Sequence, residues 1–395
     1  MMKKLTLLLG ICLVVSSAQP QRVIDVAKKG EGKIAINLGS YRAWNDATSR
    51  TFMSVLKADL NRSGYFKVTA SGGQISVAGT FKTENSMQAD VQVYNVATRA
   101  RLLGKTYKGA GNSASTLAHK VADEILYAVT GKKGMASGKI ALVGNRTGSK
   151  ELYVCDMDGN NLKQVTSDRS IVVGPCWAPD GKAVTYTSYK RGYPNVFMTG
   201  RSKPLSDLGG LNASGTISPD GRSMAVILSK NGNPELYIKN LRTGLLTRMT
   251  RTRNGNEASP CWSPDGNHIA YVSDTSGRPQ IYIIARNGGR PVRLTSSGTE
   301  NVSPDWGKNG LIAFCSRIGG RYRIAIANPT AKSMRVLETE WADYEDPSWA
   351  PDGRHIVCSR TTKHRSSIYL LDTLKDSPVA LISGSGDWFS PACSP

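Results

Sequence analysis

The chain has 395 residues, 39% of them hydrophobic and 7% aromatic, and carries 51 Lys and Arg against 30 Asp and Glu, a net charge of +21. That is too much apolar content for a disordered chain, and the 40 Gly and 18 Pro lack the three-residue period of collagen. The one long apolar run, residues 5–15, is too short to span a bilayer and excludes an integral helical membrane protein.

The N-terminus reads as an export signal. Lys3 and Lys4 precede the apolar run, and Ser16-Ser17-Ala18 places small residues where a signal peptidase needs them, so residues 1–18 are expected to be removed after about Ala18. Ile11, ahead of Cys12, is bulky where a lipid-modification site needs a small residue. A soluble periplasmic or secreted protein is expected. Its excess of positive charge is spread over both halves, with no run of five basic residues and no aromatic–basic sheet motif. The implied partners are anionic proteins or envelope surfaces, not nucleic acid.

Residues 19–136 read as a small α/β domain. A strand is predicted over 33–38 and a helix over 46–62, with Phe52, Leu56 and Leu60 on one face and Gly64 as its stop. Strand patterns follow over 65–69, 74–80, 88–96 and 101–107. Ser113 caps a second predicted helix whose Leu117, Val121, Ile125 and Val129 recur every four residues.

From residue 137 to 395 a repeat takes over. Pro175-Cys-Trp-Ala-Pro-Asp-Gly181 recurs as Pro260-Cys-Trp-Ser-Pro-Asp-Gly266 and Pro347-Ser-Trp-Ala-Pro-Asp-Gly353, with weaker copies at 215–221, 304–310 and 391–395. The anchors Trp177, Ile217, Trp262, Trp306, Trp349 and Cys393 follow one another at spacings of 40, 45, 44, 43 and 44. Each anchor is followed by a tight turn, because Pro pre-sets φ, Asp suits the next position and Gly accepts a left-handed backbone. Two β-rich runs and a short fourth strand complete each unit, the grammar of a propeller blade. The array opens at Gly138-Lys-Ile-Ala-Leu-Val143 without an anchor and closes on an anchor without later strands. The last strand must therefore complete the first blade. An all-β six-bladed β-propeller, closed by its C-terminal strand, is the predicted architecture.

Chemistry is sparse by comparison. No nucleophile elbow or P-loop is present, and the four His (119, 268, 355 and 364) are scattered, so neither a catalytic group nor a metal site nor a cofactor is expected. Asp180, Asp220, Asp265 and Asp352 are accounted for by their turns. Cys176 and Cys261, like Cys315 and Cys358, occupy equivalent positions on different blades, too far apart to bridge, and are expected as free buried thiols.

Leader, α/β domain and Trp-Ser-Pro-Asp-Gly repeats in this order resemble the TolB family of the Tol–Pal envelope system. Ala58-Asp-Leu-Asn-Arg-Ser-Gly-Tyr-Phe66 and Ala122-Asp-Glu-Ile-Leu-Tyr-Ala-Val-Thr-Gly131 are similar to the family's two helix ends. The resemblance implies a monomeric, non-enzymatic periplasmic adaptor, peripheral to membranes, that supports outer-membrane integrity and cell division. It implies a Pal-like lipoprotein at the propeller mouth, and Asn256, Glu257, Glu300, Asn301, Tyr344 and Glu345 are the expected contacts. It also implies a TolA-like inner-membrane partner at the N-terminal segment Arg22, Val23, Ile24 and Asp25. The chain departs from the family in a short turn between Thr69 and Gln74 and in Leu211-Asn212 where a mouth His is expected. The competing readings are a ligand-binding or sensor propeller for glycan or peptide, and a hydrolase or lyase propeller.

Overall fold

The computed structural model describes residues 32–83, 86–109, 113–331, 333–337, 339–374 and 377–395; the expected leader, residues 1–18, and the segment Arg22, Val23, Ile24 and Asp25 lie outside them. The first unit is a five-stranded sheet with two helices: β1 (Ile34–Ala43), α1 (Ala47–Arg62), β2 (Phe66–Thr69), β3 (Ile75–Lys82), β4 (Gln88–Asn95), β5 (Arg101–Lys108) and α2 (Ala114–Thr130). Sheet order is β2-β1-β3-β4-β5, with β1 parallel to both neighbours. Asp46 caps α1 by accepting from the Ser49 amide, and Ser113 caps α2 through Thr116. The helices pack Phe52, Leu56, Leu60, Leu117, Val121 and Ile125 with Ile36, Ile75, Val77 and Phe81 of the sheet. Gly131 ends α2 at φ +67°, a conformation open to glycine at no steric cost.

Six antiparallel blades follow. Blade 1 orders its strands Trp388–Cys393, Lys139–Gly144, Glu151–Asp156 and Lys163–Gln164, so the C-terminal strand is the innermost strand of the first blade. Phe389 pairs with Val143 and Cys393 with Ile140, closing the ring. Blade 2 holds Val172–Trp177, Val184–Ser188 and Asn195–Met198, and blade 3 holds Asn212–Ile217, Ser223–Leu228, Glu235–Asn240 and Leu246–Arg248. Blade 4 runs from Glu257–Trp262 through His268–Ser273 and Gln280–Ala285 to Val292–Arg293. Blade 5 comprises Asn301–Trp306, Ile312–Ile318, Arg321–Asn328 and Ser333–Val336; blade 6 comprises Asp343–Trp349, His355–Thr362, Arg365–Asp372 and Val379–Ile382.

The recurring turn does what its residues predict. The carboxylates of Asp180, Asp220, Asp265 and Asp352 each accept from the backbone N–H two residues on, at 2.9–3.0 Å. Two of the anchor Trp staple neighbouring blades: Trp262 Nε1 donates to Thr216 O of blade 3 at 3.0 Å, and Trp177 Nε1 to Ala392 O of blade 1 at 2.9 Å. Every inner strand carries a bulge at a left-handed residue: Gly174, Ser214, Ser259, Ser303, Asp346 and Ser390 have φ between +45° and +58°. Cys155, Cys176, Cys261, Cys315, Cys358 and Cys393 are free, and burial raises every one of these thiols above its ordinary range.

Two features differ from the pattern. Blade 2 has three strands, and its outer edge is reduced to a single bridge between Val196 and Ser206. Pro204 stands beside that bridge, and proline has no N–H to give a ladder. In blades 5 and 6 the third strand starts at Arg321 and Arg365 and runs for eight residues, against six in blades 1, 3 and 4. Their hairpins are two-residue turns with both central residues at positive φ, Gly319-Gly320 and Lys363-His364.

Candidate partner-binding face

Antiparallel strands put the Ser-Pro-Asp-Gly turns at one end of the ring and the loops that enter each inner strand at the other. The α/β domain covers part of the turn face. Arg354, just past the blade 6 turn, donates from Nη2 to Gly64 O at 3.2 Å and lies over the Tyr65 ring at 4.5 Å. Its Nε and Nη2 also engage both carboxylate oxygens of Asp372, at 2.9 and 2.5 Å. Asn161 of blade 1 reaches Ser115 Oγ at 3.4 Å. The opposite face carries none of these contacts.

A cavity of about 760 Å³ lies on the ring axis, lined in all six blades from the bulge of the inner strand to the turn that follows it. Trp177, Trp262, Trp306 and Trp349 border it, together with the bulge residues Ser214, Ser259, Ser303, Asp346 and Ser390. Asp346 holds two of these, accepting from Ser303 Oγ at 2.9 Å and from Ser390 Oγ at 2.8 Å.

The rim of the uncovered face is basic. Arg146, Arg169, Arg251, Arg253, Arg278 and Lys363 are exposed on its loops and make no ion pair among the described residues. Three arginines there are matched: Arg317 with Glu300 at 3.1 Å, Arg321 with Asp343 at 3.4 Å, Arg360 with Glu340 at 2.6 Å. Unmatched cations on one face create a field that attracts and orients an acidic surface. Trp341, in the loop entering blade 6, is 69% exposed with Arg321 stacked over it at 4.6 Å. An exposed Trp among arginines has the make-up of an interface anchor.

The residues expected to contact a partner divide into two groups. Asn256 is exposed, while Glu300 and Glu345 are half-buried on the same loops. The Tyr322 hydroxyl, donating at 2.6 Å, and the Arg317 guanidinium hold Glu300 below the ordinary carboxylate range. Burial, with Asp346 and Asp343 close by, pushes Glu345 above it. Glu257, Asn301 and Tyr344 depart from the expectation of contact: all three are buried, with side chains turned into the blades. Glu257 accepts from Ser273 Oγ at 2.9 Å, Asn301 donates to Gln280 and to Ser297 O, and the Tyr344 hydroxyl accepts from Arg360 Nε at 3.1 Å. The first position of the inner strand ties down its own entry loop. Trp341 went unnoticed in the sequence, although it is a Trp that stands off the anchor column.

Residues 126–395 match the PD40 family model, the TolB beta propeller domain. The Tol-Pal system protein TolB of Bordetella pertussis is 31% identical over 418 residues, covering 88% of this chain and 95% of that protein. The Protein TolB homolog of Chlorobium chlorochromatii is 33% identical over 194 residues, 48% of this chain and 43% of that protein, so that match spans less than half of the relative. The crystal structure of TolB from Acinetobacter baumannii superposes with a TM-score of 0.83 at 28% identity, covering 93% of this chain and 98% of that one.

Proposed function

The chain belongs to the TolB beta propeller family, and from that premise we propose that it is a non-enzymatic adaptor of the Tol–Pal envelope system. In this reading the leader is removed after about Ala18 and the mature chain acts in the periplasm. The uncovered propeller face takes a Pal-like lipoprotein. The segment Arg22, Val23, Ile24 and Asp25, ahead of the α/β domain, takes a TolA-like inner-membrane protein by adding a strand or folding on contact. Among the described residues no helix is long and apolar enough to cross a membrane.

The observation that carries the reading is the asymmetry of the ring. The α/β domain occupies only the turn face, on the side where the cavity reaches the turns, and leaves the unmatched cations and Trp341 together on the other. A rigid ring presents those loops with little ordering cost. Asn256, Glu300 and Glu345 are the members of the expected contact set that offer surface there. The test is crosslinking in intact cells from photoreactive side chains placed at Asn256 and at Trp341, followed by mass spectrometry. Recovery of an envelope lipoprotein supports the adaptor. Recovery of no envelope protein, with a glycan or peptide retained in the 760 Å³ cavity, favours a ligand-binding propeller instead.

A further inference from the structure

His119 on α2 is 3% exposed, and its two ring nitrogens have different surroundings. Nδ1 lies 2.6 Å from Asp59 Oδ2, on α1 of the same domain. Nε2 faces blade 1 of the propeller and has no hydrogen-bond partner among the described residues, an expensive state for a buried polar atom. It points between two carboxylates, 3.8 Å from Asp156 Oδ2 and 3.9 Å from Asp158 Oδ2, beyond hydrogen-bond reach of either. Both of those side chains are only 5% exposed. The three donor atoms lie within 4.8 Å of one another.

We propose that His119, Asp156 and Asp158 bind a zinc ion at the seam between the α/β domain and blade 1. Donors about 2.1 Å from a tetrahedral zinc lie roughly 3.4 Å from each other. The 3.8 and 3.9 Å separations need a closure of a few tenths of an ångström. Asp59 stands behind the imidazole as the carboxylate behind a zinc-binding histidine does, fixing the proton on Nδ1 and the lone pair of Nε2 toward the metal. Asn161 Nδ2 holds Asp156 Oδ2 at 2.6 Å and Asn160 Nδ2 holds Asp158 Oδ2 at 2.8 Å, which orients both carboxylates. Asn160 and Asn161 are exposed, so the ion has a way in and a water can fill the remaining position. A nitrogen donor selects zinc over magnesium or calcium, which take oxygen. Because one ligand comes from α2 and two come from the propeller, the ion clamps the two units together.

The experiment uses the purified, untagged protein, stripped with chelator and then freed of it. Calorimetric titration with ZnCl2 is expected to give one ion per chain, and zinc is expected to raise the melting temperature. MgCl2 is expected to give no heat. Asp158→Asn keeps the turn, since an Asn Oδ1 can accept from the Asn160 amide as Asp158 does at 3.0 Å, yet it should weaken zinc binding at least about tenfold. His119→Gln should do the same, and Asp59→Asn should lose about tenfold by releasing the ring. If His119→Gln fails to fold, Asp158→Asn, shown to be folded by circular dichroism, decides alone. No saturable binding at roughly 100 µM ZnCl2, or equal zinc affinity in wild type and Asp158→Asn, overturns the proposal; the latter places zinc on other groups such as the thiols.

Discussion

Glu235 of blade 3 and Glu257 of blade 4 share one hydroxyl: Thr252 Oγ1 lies 3.2 Å from Glu235 Oε1 and 3.2 Å from Glu257 Oε2. One hydroxyl proton cannot serve both. Both acids are buried, and Glu235 Oε2 has no donor among the described residues. Burial pushes Glu257 up to about 7, helped by the neighbouring Glu235 charge, while Glu235 stays below its ordinary range through Thr250, Thr252 and Arg248. Below about pH 7 Glu257 is the member of the pair that takes up the proton.

A raised carboxyl binds its proton more tightly in the folded chain than in the unfolded one. Its contribution is therefore full below the unfolded value near 4.5 and is lost as pH rises through about 7. Glu257→Gln mimics the protonated acid. Its melting temperature should match wild type at acidic pH and exceed it by about 2 °C or more above neutrality. Thermal melts on both sides of that range check this, and an equal difference at both would refute it.

Arg354→Ala is expected to loosen the two units. It leaves Asp372, whose side chain is 3% exposed, without its bidentate partner and removes the bond to Gly64. Breaking a buried pair from one side costs about 3–5 kcal/mol. Limited proteolysis should release the α/β part faster than in wild type, and Arg354→Lys should not restore the fork.

Trp388→Ala opens the ring where it closes. Trp388 is 1% exposed and meets Tyr153 edge-on at 5.1 Å. Loss of such a side chain costs about 3–5 kcal/mol, and chemical denaturation should show the midpoint falling accordingly. Gly144→Ala is expected to hurt the same joint, because its Cβ would come within 2.3 Å of the Trp388 ring.

Replacing Arg251 and Arg253 by Glu should slow association with the lipoprotein proposed as partner, with a smaller effect at high salt. Trp341→Ala should act mainly on dissociation, weakening binding by about 2 kcal/mol if Trp341 is the anchor. Surface plasmon resonance at two salt concentrations separates the two.

The fully buried thiols should be inert in the folded state. Burial raises all six, and the thiolate is the reactive form, but Cys176 and Cys393 are only half-buried and, with Cys261, line the 760 Å³ cavity. Iodoacetamide should leave Cys155, Cys315 and Cys358 unmodified in the native protein and label all six once it is unfolded in denaturant, as read by peptide mass mapping.

The propeller was legible because its information is local. Pro, Asp and Gly at fixed offsets dictate the same turn wherever they occur, and the offset phase of the two ends gives the closing strand without any contact being known. The missing edge of blade 2 was open to the same reasoning, since Pro204 was in view. The fate of Glu257, Asn301 and Tyr344 was not. Whether a side chain near the start of an inner strand points out or in depends on the left-handed residue that follows, and Ser259, Ser303 and Asp346 announce no such bend in isolation. His119 was counted as a lone residue on a helix. Asp59, Asp156 and Asp158 reach it only once two helices pack and a separate domain docks, and no spacing in the chain records that.

The joint in blade 1 also sets a timetable. Lys139 donates its backbone N–H to Ser394 Oγ, a partner 255 positions later. A chain emerging from N-terminus to C-terminus holds blade 1 as an unfinished hairpin stack until the strand Trp388–Cys393 has appeared. The ring can therefore lock only after all six blades have been made. Contacts of that span are slow to form, which makes closure the late step of folding.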